Sequence, residues 1–308
     1  MLRRRNFLAG SAAFLGAMPM RMCAEEGGTP LLAFGIVTDC HYADIASAGR
    51  RYYRESEGKL AECVAAMNAE RAGFMIELGD FKDQGATAET TLGYLRDIEQ
   101  VYAGFKGPRY HVLGNHDMDR ISKAQFQSAI ENTGISSERT YYSFDKQGFH
   151  FVVLDANYLA DGTNYDSGNF NWTEAYVPQH ELAWLAQDLA AAGPRPVVVF
   201  IHQRLDADEG AVYVRNAAAV RSVLEASGRV RAVFQGHHHI GGYRSLSGIH
   251  YYTLKAVIEG SGAENSAYAL VSAYADGRLA INGFRRAESR ELAGLPVKVA
   301  GLKTKKRK

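Results

Sequence analysis

The chain has 308 residues, of which 46% are hydrophobic and 22% charged. That is the composition of a globular protein long enough to bury a core, and it excludes a disordered chain. With 35 basic and 34 acidic residues the formal net charge is +1, so no global field draws the chain to a nucleic-acid polymer or an acidic partner.

Residues 1–24 read as an export signal. Arg3, Arg4 and Arg5 precede Asn6, Phe7 and Leu8 and then an Ala/Gly-rich apolar run too short to span a bilayer. The Arg4-Arg5-Asn6-Phe7-Leu8 stretch resembles a twin-arginine signal, which implies passage of the folded protein through the twin-arginine export machinery to the periplasm or another extracytoplasmic compartment. A general secretory signal or an uncleaved anchor is the alternative. No later stretch approaches membrane-spanning length, so no stable span is expected in the mature form.

From Leu31 apolar runs alternate with amphipathic stretches. "LLAFGIVTD" predicts a buried strand, Arg54 to Ala72 a helix through Leu60, Val64 and Met67, and "FMIELGD" a second strand. Thr87 to Tyr102 predicts a helix, "RYHVLGNHD" a third strand and Ser122 to Glu131 a short helix. "YYSFD" and "FHFVVLD" predict a hairpin about "KQG", followed by the polar insertion Asp161 to Trp172. A helix from Pro178 to Ala192, the strand "PVVVFIH", a helix from Arg215 to Ala226 and the strand "VRAVFQGH" come next. Strands at Gly242–Ser245 and Ile249–Val257 and the hairpin "AYALVSAY"/"RLAINGFR" about "ADG" end the pattern. Early βα units followed by consecutive strands predict an α/β fold in which two packed sheets form a sandwich flanked by helices. The expected domain spans 31–286, with 287–308 a basic tail. Cys40 and Cys63 could form a bridge, but two unpaired thiols are the simpler expectation.

Five predicted strands end in a polar motif carrying metal-type ligands: Asp39 and His41 in "TDCHY", Asp80 in "LGD", Asn115 and His116 in "LGNHD", His202 in "FIHQ", and His237 and His239 in "QGHHH". One such motif is commonly structural. Five in order, with Gly79, Gly114 and Gly236 where the backbone is expected to turn, point to one site at the carboxyl ends of the strands. His111, His150, His180 and His250 read instead as ordinary strand or surface residues. Mixed imidazole and carboxylate ligation suits manganese, iron or zinc rather than calcium or magnesium. Two such ions held by two carboxylates would keep a positive field able to bind an anionic phosphate. His238, between two ligands, is expected to face away.

The ordered set D-x-H, G-D, G-N-H-D, an isolated His and G-H-x-H resembles the calcineurin-like metallophosphoesterases over about Phe34 to Phe284. The resemblance implies the metallo-dependent phosphatase fold, two divalent or trivalent ions, and hydrolysis by a metal-bound hydroxide. It implies that Asp39, His41 and His239 hold one ion, that Asn115, His202 and His237 hold the other, and that Asp80 bridges them. His116 would protonate the leaving oxygen, oriented by Asp117.

Within the superfamily, "FGIVTDCHYAD", "RRYYRESEGKL", "FVVLDANY" and "GHHHIGGY…HYYTLKAVIEG" resemble the manganese-dependent ADP-ribose/CDP-alcohol diphosphatase branch. Members of that branch carry Gln at the position of His41, so His41 restores the common dinuclear ligand set. The implied substrate is a small phosphodiester or nucleoside-diphosphate-linked ester. A broad phosphomonoesterase, or a metal-loaded binding protein without catalysis, is the alternative. Arg51 and Arg54, with Arg50, Tyr52 and Tyr53, could meet a second phosphate and a base, or form a solvated helix start. Tyr243 is a candidate cleft neighbour, and the 161–172 insertion either covers the site or is a plain surface loop.

Overall fold

The computed structural model describes residues 28–294; the expected signal and the Lys-rich end lie outside them. The first sheet is nucleated by parallel strands β1 (Leu32–Val37), β2 (Met75–Glu77) and β3 (Arg109–His111), linked by helices α1 (Glu55–Ala69) and α2 (Ala88–Tyr102). Helix α3 (Lys123–Ala129) follows, closed at its start by a reciprocal Ser122–Gln125 capping box. The second sheet starts with the hairpin β4 (Tyr142–Lys146) and β5 (Phe149–Val153). It continues through helix α4 (Gln179–Ala191), β6 (Val197–Phe200), helix α5 (Ala217–Ser227), β7 (Val230–Gln235), β8 (Gly242–Leu246) and β9 (Ile249–Thr253). Strands β10 (Ala267–Ala273), β11 (Leu279–Arg285) and β12 (Arg290–Leu292) then return to the first sheet. The strand orders are β12-β11-β10-β1-β2-β3 and β4-β5-β6-β7-β9-β8.

The two sheets pack face to face through aromatic rings. Phe34 of β1 stacks on Phe74 at 4.8 Å and meets Phe151, Phe200 and Phe234 of the other sheet edge-on at 5.6 to 6.0 Å, the geometry ring quadrupoles favour. On the outer face of the first sheet, Leu60, Cys63, Val64 and Met67 of α1 bury against Val37 and Met75. On the outer face of the second, Leu182, Leu185 and Leu189 of α4 and Val220 and Leu224 of α5 bury against Val197, Val199 and Val233. Central strands thus have both faces covered, which is why they read as continuous apolar runs. This is the expected sandwich, with every expected strand and helix present and β12 in addition.

Several boundaries differ from expectation. Helix α1 starts at Glu55 and ends at Ala69. Strand β9 stops at Thr253 because the chain beyond it leaves the sheet: Ala256, Val257 and Ile258 donate their amides to the carbonyls of His239, Thr38 and Asp39. The sheet also extends past 286, since Arg290–Leu292 pairs with β11 within the stretch expected to be tail. Cys40 and Cys63 are buried free thiols.

His150, on β5, lies between two carboxylates, with Nδ1 2.7 Å from Asp145 and Nε2 2.7 Å from Asp188. Burial alone would lower its pKa, but these bonds raise it. A raised histidine pKa stabilises fully below its unfolded value of about 6.5, and that contribution is lost as pH rises through the higher folded value. The gap in thermal midpoint between wild type and His150→Gln is therefore expected to narrow as pH rises above about 6.5; a constant gap would show that the imidazolium contributes nothing.

Candidate metal centre

The loops after β1, β2, β3, β6 and β7 meet at one rim because backbone bonds stitch them together. Asp39 N donates to Gly79 O, His41 N to Asp80 O, and Gly236 N to His202 O, at 2.8 to 3.0 Å. Asp39, His41, Asp80 and His237 all hold positive φ, between 44° and 64°. Non-glycine residues rarely adopt that conformation, and its cost is tolerated mainly at functional sites.

Two donor groups result. In one, Asp39 Oδ1 lies 3.7 Å from His41 Nε2 and 3.4 Å from His239 Nε2, and the two ring nitrogens are 3.2 Å apart. In the other, His202 Nε2 lies 3.1 Å from Asp80 Oδ2 and 3.2 Å from His237 Nδ1. Asp80 Oδ2 is also 3.6 Å from His41 Nε2, so one carboxylate faces both groups. The histidine triplet divides: His239 joins the first group and His237 the second, while His238 turns away to Arg204, 2.9 Å from its Nη1. Asn115 lines the same cleft.

The tautomers are set from behind. His202 donates Nδ1–H to Leu78 O at 2.7 Å and His239 points Nδ1 at Glu259 at 2.8 Å, while His41 Nδ1 faces Asp83 at 3.4 Å without forming a hydrogen bond. Their Nε2 lone pairs therefore face inward, and His41 and His239 present theirs to each other, an arrangement that calls for a cation between them. Asp39 Oδ1, Asn115 Oδ1 and His237 Nε2 are buried with no hydrogen-bond partner. Buried polar atoms are normally paired, and these donors fit metal ions.

The electrostatics agree. Burial would raise the Asp39 pKa, yet His239 and His41 hold it well below the carboxylate range, and His202 similarly holds Asp80 low. Burial opposes charge on His202, but Asp80 pushes its pKa up to about 10, whereas burial and the neighbouring His202 bring His237 down to about 3. The rim demands positive charge, and bound cations would take the place of the histidine protons.

Other expected residues separate. His116 lines the cleft, but Asp117 does not touch its ring. The Asp117 carboxylate accepts from the amides of Asp80, Phe81 and Gly114 at 2.8 to 3.0 Å, locking the second and third loops together. Asp119 orients His116 instead, 2.7 Å from Nδ1, and Lys82 Nζ holds the carbonyls of both residues. Arg51 lines the cleft. Arg54 does not, because it is paired with Asp44 on the exposed surface. Tyr243 also lies elsewhere: its hydroxyl bonds His250 at 2.8 Å and Arg290 covers its ring at 3.9 Å. The insertion brings Trp172 to the cleft wall, 5.5 Å from His237 between ring centres, with Val212 nearby.

Asp83, Asp119 and Glu259 were missed in the sequence, where single acidic residues in loops carry no signal until the fold places them behind a histidine. Glu259 also accepts from Arg50 at 2.9 Å, and Lys59 of α1 holds its loop through the carbonyls of Val257 and Gly260. Losing the partner of a metal-facing histidine typically costs about 10- to 100-fold in metal affinity, and that is expected for Glu259→Ala in metal titration. His238→Ala is expected to keep most turnover, and equal losses in the two variants would contradict these placements.

The cleft encloses about 390 Å3. A larger groove of about 750 Å3 beside Lys123, Arg139 and Tyr141 holds none of the donor groups, and its Lys123 is already paired with Asp155 at 2.6 Å, so the chemistry belongs to the smaller cleft. Among the described residues no helix is long and apolar enough to cross a membrane.

The model of the calcineurin-like phosphoesterase family matches residues 32–241. A manganese-dependent ADP-ribose/CDP-alcohol diphosphatase of Oryza sativa subsp. japonica is 28% identical, covering 84% of this chain and 94% of its own. One of the same name from Arabidopsis thaliana is 25% identical, covering 75% and 87%. The crystal structure of a dimetal phosphatase from Danio rerio superposes with a TM-score of 0.75 at 24% identity, over 86% of this chain and all of that one, and so shares the fold.

Proposed function

The chain belongs to the calcineurin-like phosphoesterase family and is a metal-dependent phosphoester hydrolase, and from that premise we propose that it cleaves phosphodiester or nucleoside-diphosphate-linked substrates of the ADP-ribose/CDP-alcohol kind. One observation carries this: two buried groups of donors share a single carboxylate, Asp80, at the floor of a cleft open to a small ester. The names of the relatives support the substrate class and favour manganese over iron or zinc.

Asp39, His41 and His239 would hold one ion, and Asn115, His202 and His237 the other, with Asp80 shared. Bound ions supply Lewis-acid polarisation of the phosphoryl group and lower the pKa of water at the centre. The remaining work falls to the chain. With Asp119 on Nδ1, His116 presents Nε2 to the cleft, where it would place a proton on the leaving oxygen. Asp117 acts as a positioning residue that fixes the loops of Asp80 and Gly114. Substrate phosphate would be drawn by the ions together with Arg51.

The test is to purify the mature chain, count metals per chain, and compare ADP-ribose, CDP-choline, bis(4-nitrophenyl) phosphate and 4-nitrophenyl phosphate. Turnover of the diphosphate-linked esters and the diester with two ions per chain is expected. Turnover of the monoester alone would replace this reading by the phosphomonoesterase one. The protein is further proposed to reach an extracytoplasmic compartment through the twin-arginine route, on the strength of Arg4-Arg5-Asn6-Phe7-Leu8. Replacing Arg4 and Arg5 by Lys should retain it inside, and normal export of that variant would exclude the route.

A further inference from the structure

The cleft differs chemically from one end to the other. We propose that this asymmetry orients a nucleoside-diphosphate-linked ester with its base against Trp172 and its second phosphate against Arg51, so that water attacks the phosphorus attached to the nucleoside. This rests on the phosphohydrolase reading and adds to it the direction in which the substrate lies.

The aromatic end is built, not incidental. Large apolar side chains left exposed among the described residues are Leu31, Trp172 and Ile240, and Trp172 is 45% exposed while lining the cleft. Its loop already has an aromatic anchor: Phe170 stacks on Tyr165 at 4.0 Å and 6°. The same loop is tied to the segment after His116, since Ser167 N and Gly168 N donate to the carbonyls of Ile121 and Met118 at 3.0 Å. Phe170 therefore anchors the loop, and the half-exposed indole stands on the His237 side of the cleft. Every nucleobase has a π-face that fits such a platform.

The charged end lies across the metal groups. Arg50 is bonded to Glu259 and Arg54 to Asp44. Arg51 makes no side-chain hydrogen bond among the described residues and is ion-paired only loosely, with Asp83 at 3.8 Å, so its planar fork can turn to a phosphate. His116 is on this side too, with Nδ1 3.9 Å from the same Asp83 oxygen. The group positioned to protonate a leaving oxygen thus shares the Asp83 carboxylate with the arginine, whereas the indole's ring contact is with His237.

The orientation follows. The bond from the bridging oxygen to the nucleoside-side phosphorus breaks, and the oxygen of water forms the new P–O bond there. The bridging oxygen leaves on the second phosphate and receives the proton from His116; water's own proton passes to solvent, which restores His116. Net consumption is one water, and the products are a nucleoside monophosphate and a phosphorylated alcohol.

Hydrolysis of ADP-ribose by the metal-loaded enzyme in 18O-water reads this directly. The label is expected in AMP and not in ribose 5-phosphate. Trp172→Ala should raise KM for ADP-ribose by about tenfold with a smaller change in kcat, with Trp172→Phe recovering most of the loss. Arg51→Ala should lose more on ADP-ribose than on bis(4-nitrophenyl) phosphate, which has no second phosphate. Label in ribose 5-phosphate, or an unchanged KM in Trp172→Ala, would overturn the orientation while leaving the phosphohydrolase reading standing. A metal-loaded wild type that hydrolyses neither ester would overturn both.

Discussion

Asp80→Ala is expected to lower phosphodiester turnover by about a thousandfold or more. Its Oδ2 lies 3.1 Å from His202 Nε2 and 3.6 Å from His41 Nε2, so its removal takes a ligand from both proposed ions at once. Oδ1 has a second duty, accepting from the amide of His116 at 2.7 Å, so the proposed acid would lose its backbone anchor too. Removing an outer partner such as Glu259 weakens one histidine; removing Asp80 disconnects the two halves of the centre. Counting metals and measuring kcat on the same preparation separates lost binding from lost chemistry. A loss below about tenfold with metal fully bound would exclude the shared-carboxylate mechanism.

Gly114→Ala is expected to cost much of the activity as well, with no functional group removed. A Cβ on Gly114 would collide with the amide and carboxylate of Asp80, and lie 2.8 Å from the carbonyl carbon of Gly79. Asp117 holds the amides of both Asp80 and Gly114, so neither loop can move aside cheaply. Overpacking of this kind costs roughly 1–3 kcal/mol of stability, and the displacement falls on Asp80 itself. The expected result is a folded, less stable protein with about a hundredfold or greater loss of turnover, checked by thermal unfolding beside kinetics. Activity near wild type would mean that the two loops are not in the tight register described. Gly114 was expected as a turn, but only Gly79 of the three motif glycines has positive φ, at 99°; Gly114 and Gly236 are needed because other chain segments pass too close for a side chain.

The strands and the donor residues were legible because both depend on local pattern. Phe34, Phe200 and Phe234 sit in apolar runs whose length and flanking glycines mark buried strands, and ligand-type residues recur where each run ends. What supports the donors was not legible. Asp119 was hidden behind Asp117, which stands next to His116 in sequence but turns its carboxylate to three backbone amides. Glu259 reaches His239 across 20 residues, through a chain segment that leaves β9 earlier than its apolar pattern suggested. Tyr243 and Arg54 erred in the opposite sense: proximity along the chain to a metal motif placed them near the cleft, while alternation along β8 and a local partner took them elsewhere. Such contacts depend on the packing of distant segments, which periodicity does not encode.

The proposed ligands come from both halves of the sandwich. Asp39, His41, Asp80 and Asn115 follow strands of the first sheet, and His202, His237 and His239 follow strands of the second. The centre therefore cannot exist in either half alone; it is completed only when the sheets dock. Binding of the proposed ions would then favour the docked state, acting as a latch on the sheet–sheet interface. Saturation at a hundred times the dissociation constant adds about 2.7 kcal/mol to the docked state, so metal supply in the compartment where folding finishes would set how tightly the protein is closed before it ever meets a substrate.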